Sequence, residues 1–165
     1  MKKATFNISS IKKHLDKNPL NYAEYGEKIA CWNKRGTFVI IVSKLVFETE
    51  IKNTLPTVVI DLPSCIPTTI KGFSDNESVI LSHTFLTMQL NNIDACLFQN
   101  IKYKYITPID NKLLSILNNI EDFTPYQIKE NTSVLFKNED ISVLIFPLFN
   151  RDIANKLKSI TDTLK

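Results

Sequence analysis

The sequence predicts an α+β fold in which units of the order β-α-β-β-β follow one another and form an antiparallel sheet with helices on one face. Segments with a period of two, typical of half-buried strands, alternate with short segments of helical period. This order returns after about fifty residues, which is too long and too strand-rich for a helical solenoid. With 44% hydrophobic and 22% charged residues over 165 positions, the chain is long enough to bury a core.

The first unit opens with a strand and a short helix. "ATFNI" predicts the strand, and "SSIKKHLDKNPL" predicts a helix that is capped by Ser9 or Ser10 and stopped by Pro19. Three strands follow a tyrosine-bearing link, and the last of them alternates outward glutamates with inward apolar residues. These strands are "KIACWNK", "TFVIIVSKL" and "VFETEIKN".

The second unit repeats this order. "TVVIDL" predicts a strand, and "PSCIPTTIKGF" predicts a short helix that a proline opens and that ends near Gly72. Turns at His83-Thr84 and Asn91-Asn92 separate three further strands. These strands are "SVILSH", "FLTMQL" and "IDACLFQNI".

The third unit is predicted to be truncated. After the strand "YKYIT", the segment "PIDNKLLSILNNIEDF" places its apolar residues on one face and is the clearest helix of the chain, and a hairpin turns at Glu139-Asp140. A final helix, "NRDIANKLKSITDTLK", closes the chain. We therefore expect a domain of two complete units over 1–101, followed by a truncated unit and the C-terminal helix over 102–165.

Several function classes find no support in the sequence. Three glycines cannot build a phosphate-binding loop, and the two histidines and three cysteines lack the paired spacing of zinc ligands. No nucleophile with a base and no spaced carboxylate pair is visible, so we predict a non-enzymatic protein without cofactors or metals. Neither a secretory signal nor an apolar run of membrane-spanning length is apparent. Three widely spaced cysteines with apolar neighbours indicate buried free thiols and a cytoplasmic protein.

The element order resembles that of the DNA sliding clamps, the bacterial polymerase β clamp and the proliferating cell nuclear antigen. The stretches that carry the resemblance are "ATFNISSIKKHL", "TVVIDLPSCIPTTI" and "KYITPIDNKLLSIL", each a strand that runs into a short helix. It covers most of residues 4–149 and is a likeness of element order. The resemblance implies helices that face duplex DNA, sheets on the outside and self-association into a ring, of which this chain would supply one and a half domains.

The lysines of the predicted helices are the candidate DNA contacts that the resemblance implies. Lysine is suited to phosphate contact that does not read sequence. The alternative, which the lysine content of the chain favours, is an ordinary solvated surface. The candidates are Lys12, Lys13, Lys17, Lys71 and Lys112.

Aromatic residues beside cations are candidates for binding a protein partner. Trp32 lies near several lysines and tyrosines, and Tyr103 and Tyr105 share one side of a strand that carries Lys102 and Lys104 on the other. A Trp that fills the core and a strand that pairs within the fold are the alternatives. The function expected from the resemblance is a self-associating DNA and protein tether in replication or repair. The alternative is a phage or mobile-element interaction module that does not touch DNA.

Overall fold

The computed structural model describes residues 5–148, 155–159 and 162, and the fold is α+β, as predicted. Helical elements are short, and most of the chain between them is strand. The helices are α1 (Ile8–Lys13), α2 (Lys44–Val46), which continues as a π-helical segment (Phe47–Lys52), α3 (Cys65–Asp75), α4 (Asn111–Leu114) and a 3-10 turn (Ile120–Asp122). The strands are β1 (Leu20–Tyr25), β2 (Lys28–Trp32), β3 (Phe38–Ser43), β4 (Thr57–Val59), β5 (Val79–Ile80), β6 (Ser82–Leu90), β7 (Ile93–Asn100), β8 (Tyr105–Asp110), β9 (Thr124–Gln127), β10 (Val134–Lys137) and β11 (Ser142–Ile145).

A large sheet of eight strands organises the fold, in the order β4-β1-β2-β3-β11-β10-β9-β5. Its neighbouring strands are antiparallel except for β1 and β4, which are parallel, so the sheet is mixed rather than purely antiparallel. At its centre β3 pairs with β11. Strands β2 and β1 of the first unit follow on one side, and β10 and β9 of the third unit follow on the other. Because one sheet takes strands from both sides of the expected boundary at residue 101, that boundary does not separate two sheets.

Both faces of the large sheet are buried. Successive side chains of a strand point to opposite faces, so one strand contributes to the apolar clusters on both. Along β3, for example, Phe38 and Ile40 belong to one apolar cluster, and Val39 and Ile41 belong to another. We call the side of the sheet with the first cluster the first face and the other side the second face. Ile11 of α1 belongs to the first cluster. Such continuous apolar strands are expected where a sheet is covered on both sides.

The helices lie on both faces of the large sheet, so the expectation that they share one face is wrong. Leu113 and Leu114 of α4 pack with α1 on the first face, whereas Ile66, Ile70 and Phe73 of α3 pack against the second. The chain leaves the sheet at the edge strand β4, passes over the second face as α3 and returns at the opposite edge as β5. This long crossing places α3 away from the other helices.

A second sheet, β6-β7-β8, packs on the first face of the large one. Phe98 of β7 joins the first-face cluster, and Thr107 of β8 donates a 2.9 Å hydrogen bond to the Oε1 atom of Gln127 in β9. On the outer side of the small sheet, Leu97 packs with Leu157, which belongs to the helical residues 155–159. The predicted C-terminal helix is therefore present at these positions, and its remaining residues lie outside the described ones except for Asp162.

The segment predicted as the strand "VFETEIKN" is helical instead. Phe47 and Ile51 are both fully buried, and their spacing of four residues suits one face of a helix as well as alternate positions of a strand. The Ser43 hydroxyl accepts a hydrogen bond from the Val46 N–H and caps the start of this helix. The preceding link, expected to be irregular, contains β1 and supplies the missing strand of the first unit.

Other departures concern element ends. In the expected strand "ATFNI", Ala4 lies outside the described residues, and the rest forms a single bridge between Phe6 and Leu117. Asn7 rather than a serine caps α1. The helix expected over "PIDNKLLSILNNIEDF" has only the four residues of α4, because Ile109 and its neighbours continue β8 into the small sheet. The third unit also contains β9, so it is not truncated. His83 and Thr84 lie within β6, where the register shifts, rather than in a turn.

Candidate nucleic-acid interface

The helices α1 and α4 lie side by side on the first face of the large sheet. The Ser115 hydroxyl, just after α4, donates to the Ser10 hydroxyl of α1 at 3.0 Å. The His14 Nε2 atom lies 2.9 Å from the Lys112 carbonyl oxygen. Apolar residues of both helices point into the first-face cluster, so their polar residues remain on the outside. Two helices from distant parts of the sequence thus present one common outer surface.

The turn between β2 and β3 extends this surface. Asn33 is buried, and its Nδ2 atom donates to the carbonyl oxygen of His14 at 3.2 Å, which ties the turn to the end of α1. Its Oδ1 atom accepts the N–H of Thr37 at 2.9 Å. Gly36 closes the turn with φ +68°, a backbone angle that favours glycine. Asn33 therefore fixes the two basic residues of the turn, Lys34 and Arg35, beside the helix.

We call this surface the α1/α4 surface, and most of its charges are positive. Arg35 pairs with Asp16 at 2.7 Å, and both side chains are largely exposed, so the pair adds little stability. None of its lysines forms an ion pair with another described residue, and all of them are exposed. Its cations are Lys12, Lys13, Lys17, Lys34, Arg35 and Lys112, and its carboxylates are Asp16 and Asp110.

The charge of the chain is concentrated on this surface. Six cations and two carboxylates leave it with a net charge of +4, whereas the other 10 Lys and Arg residues and 14 Asp and Glu residues among the described positions leave −4. The modest overall charge of +3 thus conceals a basic face. Because a local field rather than the net charge attracts a polyanion, this distribution suits phosphate contact.

Four of the five predicted DNA-contacting lysines come together, and the fifth does not. Lys12, Lys13, Lys17 and Lys112 belong to the α1/α4 surface, whereas Lys71 is on α3, across the sheet. There Lys71 approaches Asp75 at 4.0 Å. Its separation follows from the crossing of α3 over the second face, which the order of elements does not reveal.

Two of the three aromatic residues predicted to bind a partner are buried. Trp32 is 7% exposed and packs against the α3 side of the sheet with Ile66. Tyr105 is also 7% exposed, and its hydroxyl accepts a 2.9 Å hydrogen bond from Asn100. Tyr103 is 53% exposed in the turn between β7 and β8 and is the one of the three that a partner can reach.

Sequence reasoning missed Asn33 and did not assign Lys34 and Arg35 to the same surface as the helices. The stretch "NKRGT" carries a turn signal, an Asn followed by a Gly three residues later. That signal predicts the turn but not the contact with His14, because the contact joins residues 19 positions apart.

The described part of the chain contains neither a candidate metal site nor a candidate membrane-spanning helix. Among residues 5–148, 155–159 and 162, no three His, Cys, Asp or Glu side chains come together to hold a metal ion. In the same residues no helix has both the length and the apolar character needed to cross a bilayer. Cys31 and Cys96 are buried free thiols as expected, whereas Cys65 is exposed at the start of α3.

No protein-family model, no curated protein and no solved structure matches this chain.

Proposed function

We propose that this protein is a non-enzymatic, cytoplasmic tether that holds duplex DNA through phosphate contacts on the α1/α4 surface and associates with itself in replication or repair. The observation that carries the proposal is the concentration of five exposed lysines without ion-pair partners among the described residues. Free ammonium groups can replace the counterions of DNA without first breaking an internal pair. The resemblance of the element order to the sliding clamps adds a reason to expect duplex DNA.

Contact of this kind is independent of base sequence. The surface carries one arginine, which already pairs with Asp16, so the bidentate recognition of guanine that arginine performs is not provided. Lysines reach phosphate oxygens as point charges. Affinity for any duplex of adequate length is expected to be similar, and to depend steeply on salt.

The test compares two pairs of lysines on opposite faces of the sheet. Lys12→Gln with Lys112→Gln removes two charges from the α1/α4 surface, and Lys71→Gln with Lys137→Gln removes two from the second face, where both residues lie. Binding of a fluorescent duplex is measured by anisotropy over a range of salt concentrations. The first pair is expected to reduce the slope of log K against log salt by about 1.8 and to weaken binding about 60-fold at 0.1 M salt.

The control pair is expected to leave both quantities unchanged. An equal loss in the two double variants would mean that total charge, and not the α1/α4 surface, governs binding. A wild-type chain indifferent to duplex DNA at low salt would refute the proposal. Circular dichroism of each variant confirms that the fold is retained.

A second candidate function, an interaction module that binds a protein and no DNA, is favoured by exposed apolar residues away from the basic surface. Ile101 is 67% exposed and lies beside Tyr103 in the turn between β7 and β8. Neighbouring Lys102 forms an exposed ion pair at 2.5 Å with Glu77, which lies just before β5. The salt titration separates the two candidates, because this one predicts no DNA binding at any salt concentration.

A further inference from the structure

We infer that the edge strand β4 pairs with the β4 of a second copy of this chain about a two-fold axis at Val59. This edge is open in the described part of the chain, because β4 is the last strand of the large sheet on that side. An unpaired edge offers a row of free N–H and C=O groups to another strand. The inference stands apart from DNA binding, since it uses no residue of the α1/α4 surface.

The backbone groups that face outward can be identified from the pairing with β1. The Leu20 N–H donates to the Pro56 carbonyl oxygen, and the Ile60 N–H donates to the Tyr22 carbonyl oxygen. Even-numbered residues of the segment therefore face β1. Because successive residues of a strand alternate, Thr57, Val59 and the following Asp61 direct their backbone groups to the open edge.

The side chains of this edge are apolar and exposed. Val58 is 38% exposed, Val59 65% and Ile60 40%. Natural edge strands are often protected by lysine, proline or a bulge, and none of these occurs from Thr57 to Asp61, so the shortness of β4 and the charge of Asp61 are its protection. Three consecutive exposed apolar residues on an open edge are the side chains that pairing with a second strand would cover.

The sequence of the edge is complementary to itself in one antiparallel register. With Val59 opposite Val59 of the second copy, Val58 lies opposite Ile60 and Thr57 lies opposite Asp61. Each outward-facing residue then forms a hydrogen-bonded pair, which exchanges both N–H···O=C bonds. The same register places apolar residues against apolar residues on each face of the joined sheet.

The charge of the segment also agrees with pairing to a second copy. Asp61 is the one charged residue in the segment 57–61. This register places it opposite Thr57 of the second copy rather than opposite another carboxylate. Like charges directly opposite each other would destabilise the pair. An interface centred on a two-fold axis uses the same patch on both copies, so it closes at a dimer.

The size of the edge indicates a weak dimer. Specific interfaces bury about 800 Å² per partner from 20–30 residues on each side. The five residues of this edge supply only part of that area, so we expect an association that depends on protein concentration and is incomplete when the protein is dilute.

The test is disulfide trapping in a Cys65→Ser background, which removes the exposed native thiol. The Cα atoms of a hydrogen-bonded antiparallel pair are about 5.5 Å apart, a distance that a disulfide spans. Val59→Cys is therefore expected to form a covalent dimer under mild oxidation. Thr57→Cys is the matched control, because its counterpart in the second copy lies four residues away along the strand and out of reach.

Sedimentation equilibrium of the reduced proteins supplies a readout without cross-linking. Val59→Glu opposes two carboxylates across the axis and is expected to raise the dimer dissociation constant about tenfold or more. Since Val59 is exposed, the fold is expected to tolerate this change. Equal trapping of the Val59→Cys and Thr57→Cys variants would overturn the inference, as would a wild-type chain that remains monomeric at millimolar concentration. Neither result bears on DNA binding, which the salt titration of the Lys12→Gln and Lys112→Gln double variant tests separately.

Discussion

The contact between the two sheets includes one buried polar pair, which Thr107→Val removes with little change of shape. The Thr107 hydroxyl donates to the Gln127 Oε1 atom at 2.9 Å, and the Gln127 Nε2 atom donates to the Thr132 carbonyl oxygen at 2.8 Å. Thr107 is 2% exposed and Gln127 is fully buried. The substitution leaves the Oε1 atom buried without its donor, because water has no access to replace the hydroxyl.

The expected loss of stability follows from that unsatisfied oxygen. A buried polar group that loses its partner costs about 1–3 kcal/mol. For a chain of this size each kcal/mol lowers the midpoint of thermal unfolding by about 2–4 °C, so a decrease of about 2–12 °C is expected. Urea denaturation followed by circular dichroism should show a lower midpoint with an unchanged slope, since the surface exposed on unfolding stays the same.

Two further variants test the cause of that loss. Thr87→Val makes the same chemical change at an exposed position of β6 and is expected to alter stability by less than about 0.5 kcal/mol. Adding Gln127→Leu to Thr107→Val removes the stranded oxygen, so the double variant should lose less than the sum of the single losses. Losses that simply add, or a Thr107→Val variant as stable as Thr87→Val, would contradict the reasoning.

Two other predictions concern titratable groups. Burial lowers the pKa of His83, and Glu121 opposes this shift without cancelling it. The unfolded chain therefore binds a proton below about pH 6.5 that the folded chain does not, so stability falls as the pH drops from there towards the lowered pKa. Urea midpoints of His83→Gln should fall less between pH 7 and 5 than those of the wild type, and His14→Gln serves as the control. Burial raises the pKa of Cys31 to about 12, so thiol reagents should label Cys65 in the folded chain and Cys31 only after unfolding. Labelling of Cys31 in a native Cys65→Ser variant, located by peptide mapping, would disprove this.

Much of the strand content is predictable because its signals are local. The segments of β2, β3 and β7 are apolar runs bounded by turns, and burial on both faces of a sheet produces such runs. The helix α3 lies where Pro63 and Gly72 indicate a start and an end, although it extends a few residues beyond that glycine. β1 escapes prediction because only Leu20 and Ala23 of its residues are buried, a weak apolar signal for a strand beside the edge.

The candidate site is predictable only in part because its assembly depends on topology. Lys12 and Lys112 were expected to lie together because both helices follow strands of repeated units, and the structure places them on one surface. Lys71 follows the same local pattern, but its helix crosses the sheet from one edge strand to the other. Which face a connection crosses depends on the packing of the whole sheet, and the local pattern around Lys71 predicts a helix without predicting its face.

The geometry of an antiparallel edge pair connects the two proposals. A two-fold axis that relates two antiparallel edge strands stands perpendicular to the sheet, so the first faces of both copies lie on the same side of the joined sheet. The helices α1 and α4 of both copies then lie on that side, and if they bind DNA as proposed, one duplex lying across the pair would meet lysines from both copies. A ring requires two different, complementary edges, and β5, with two residues, offers little backbone to pair with β4. The proposed dimer would therefore extend the basic surface along DNA without encircling it, unlike the rings of the sliding clamps that the element order resembles.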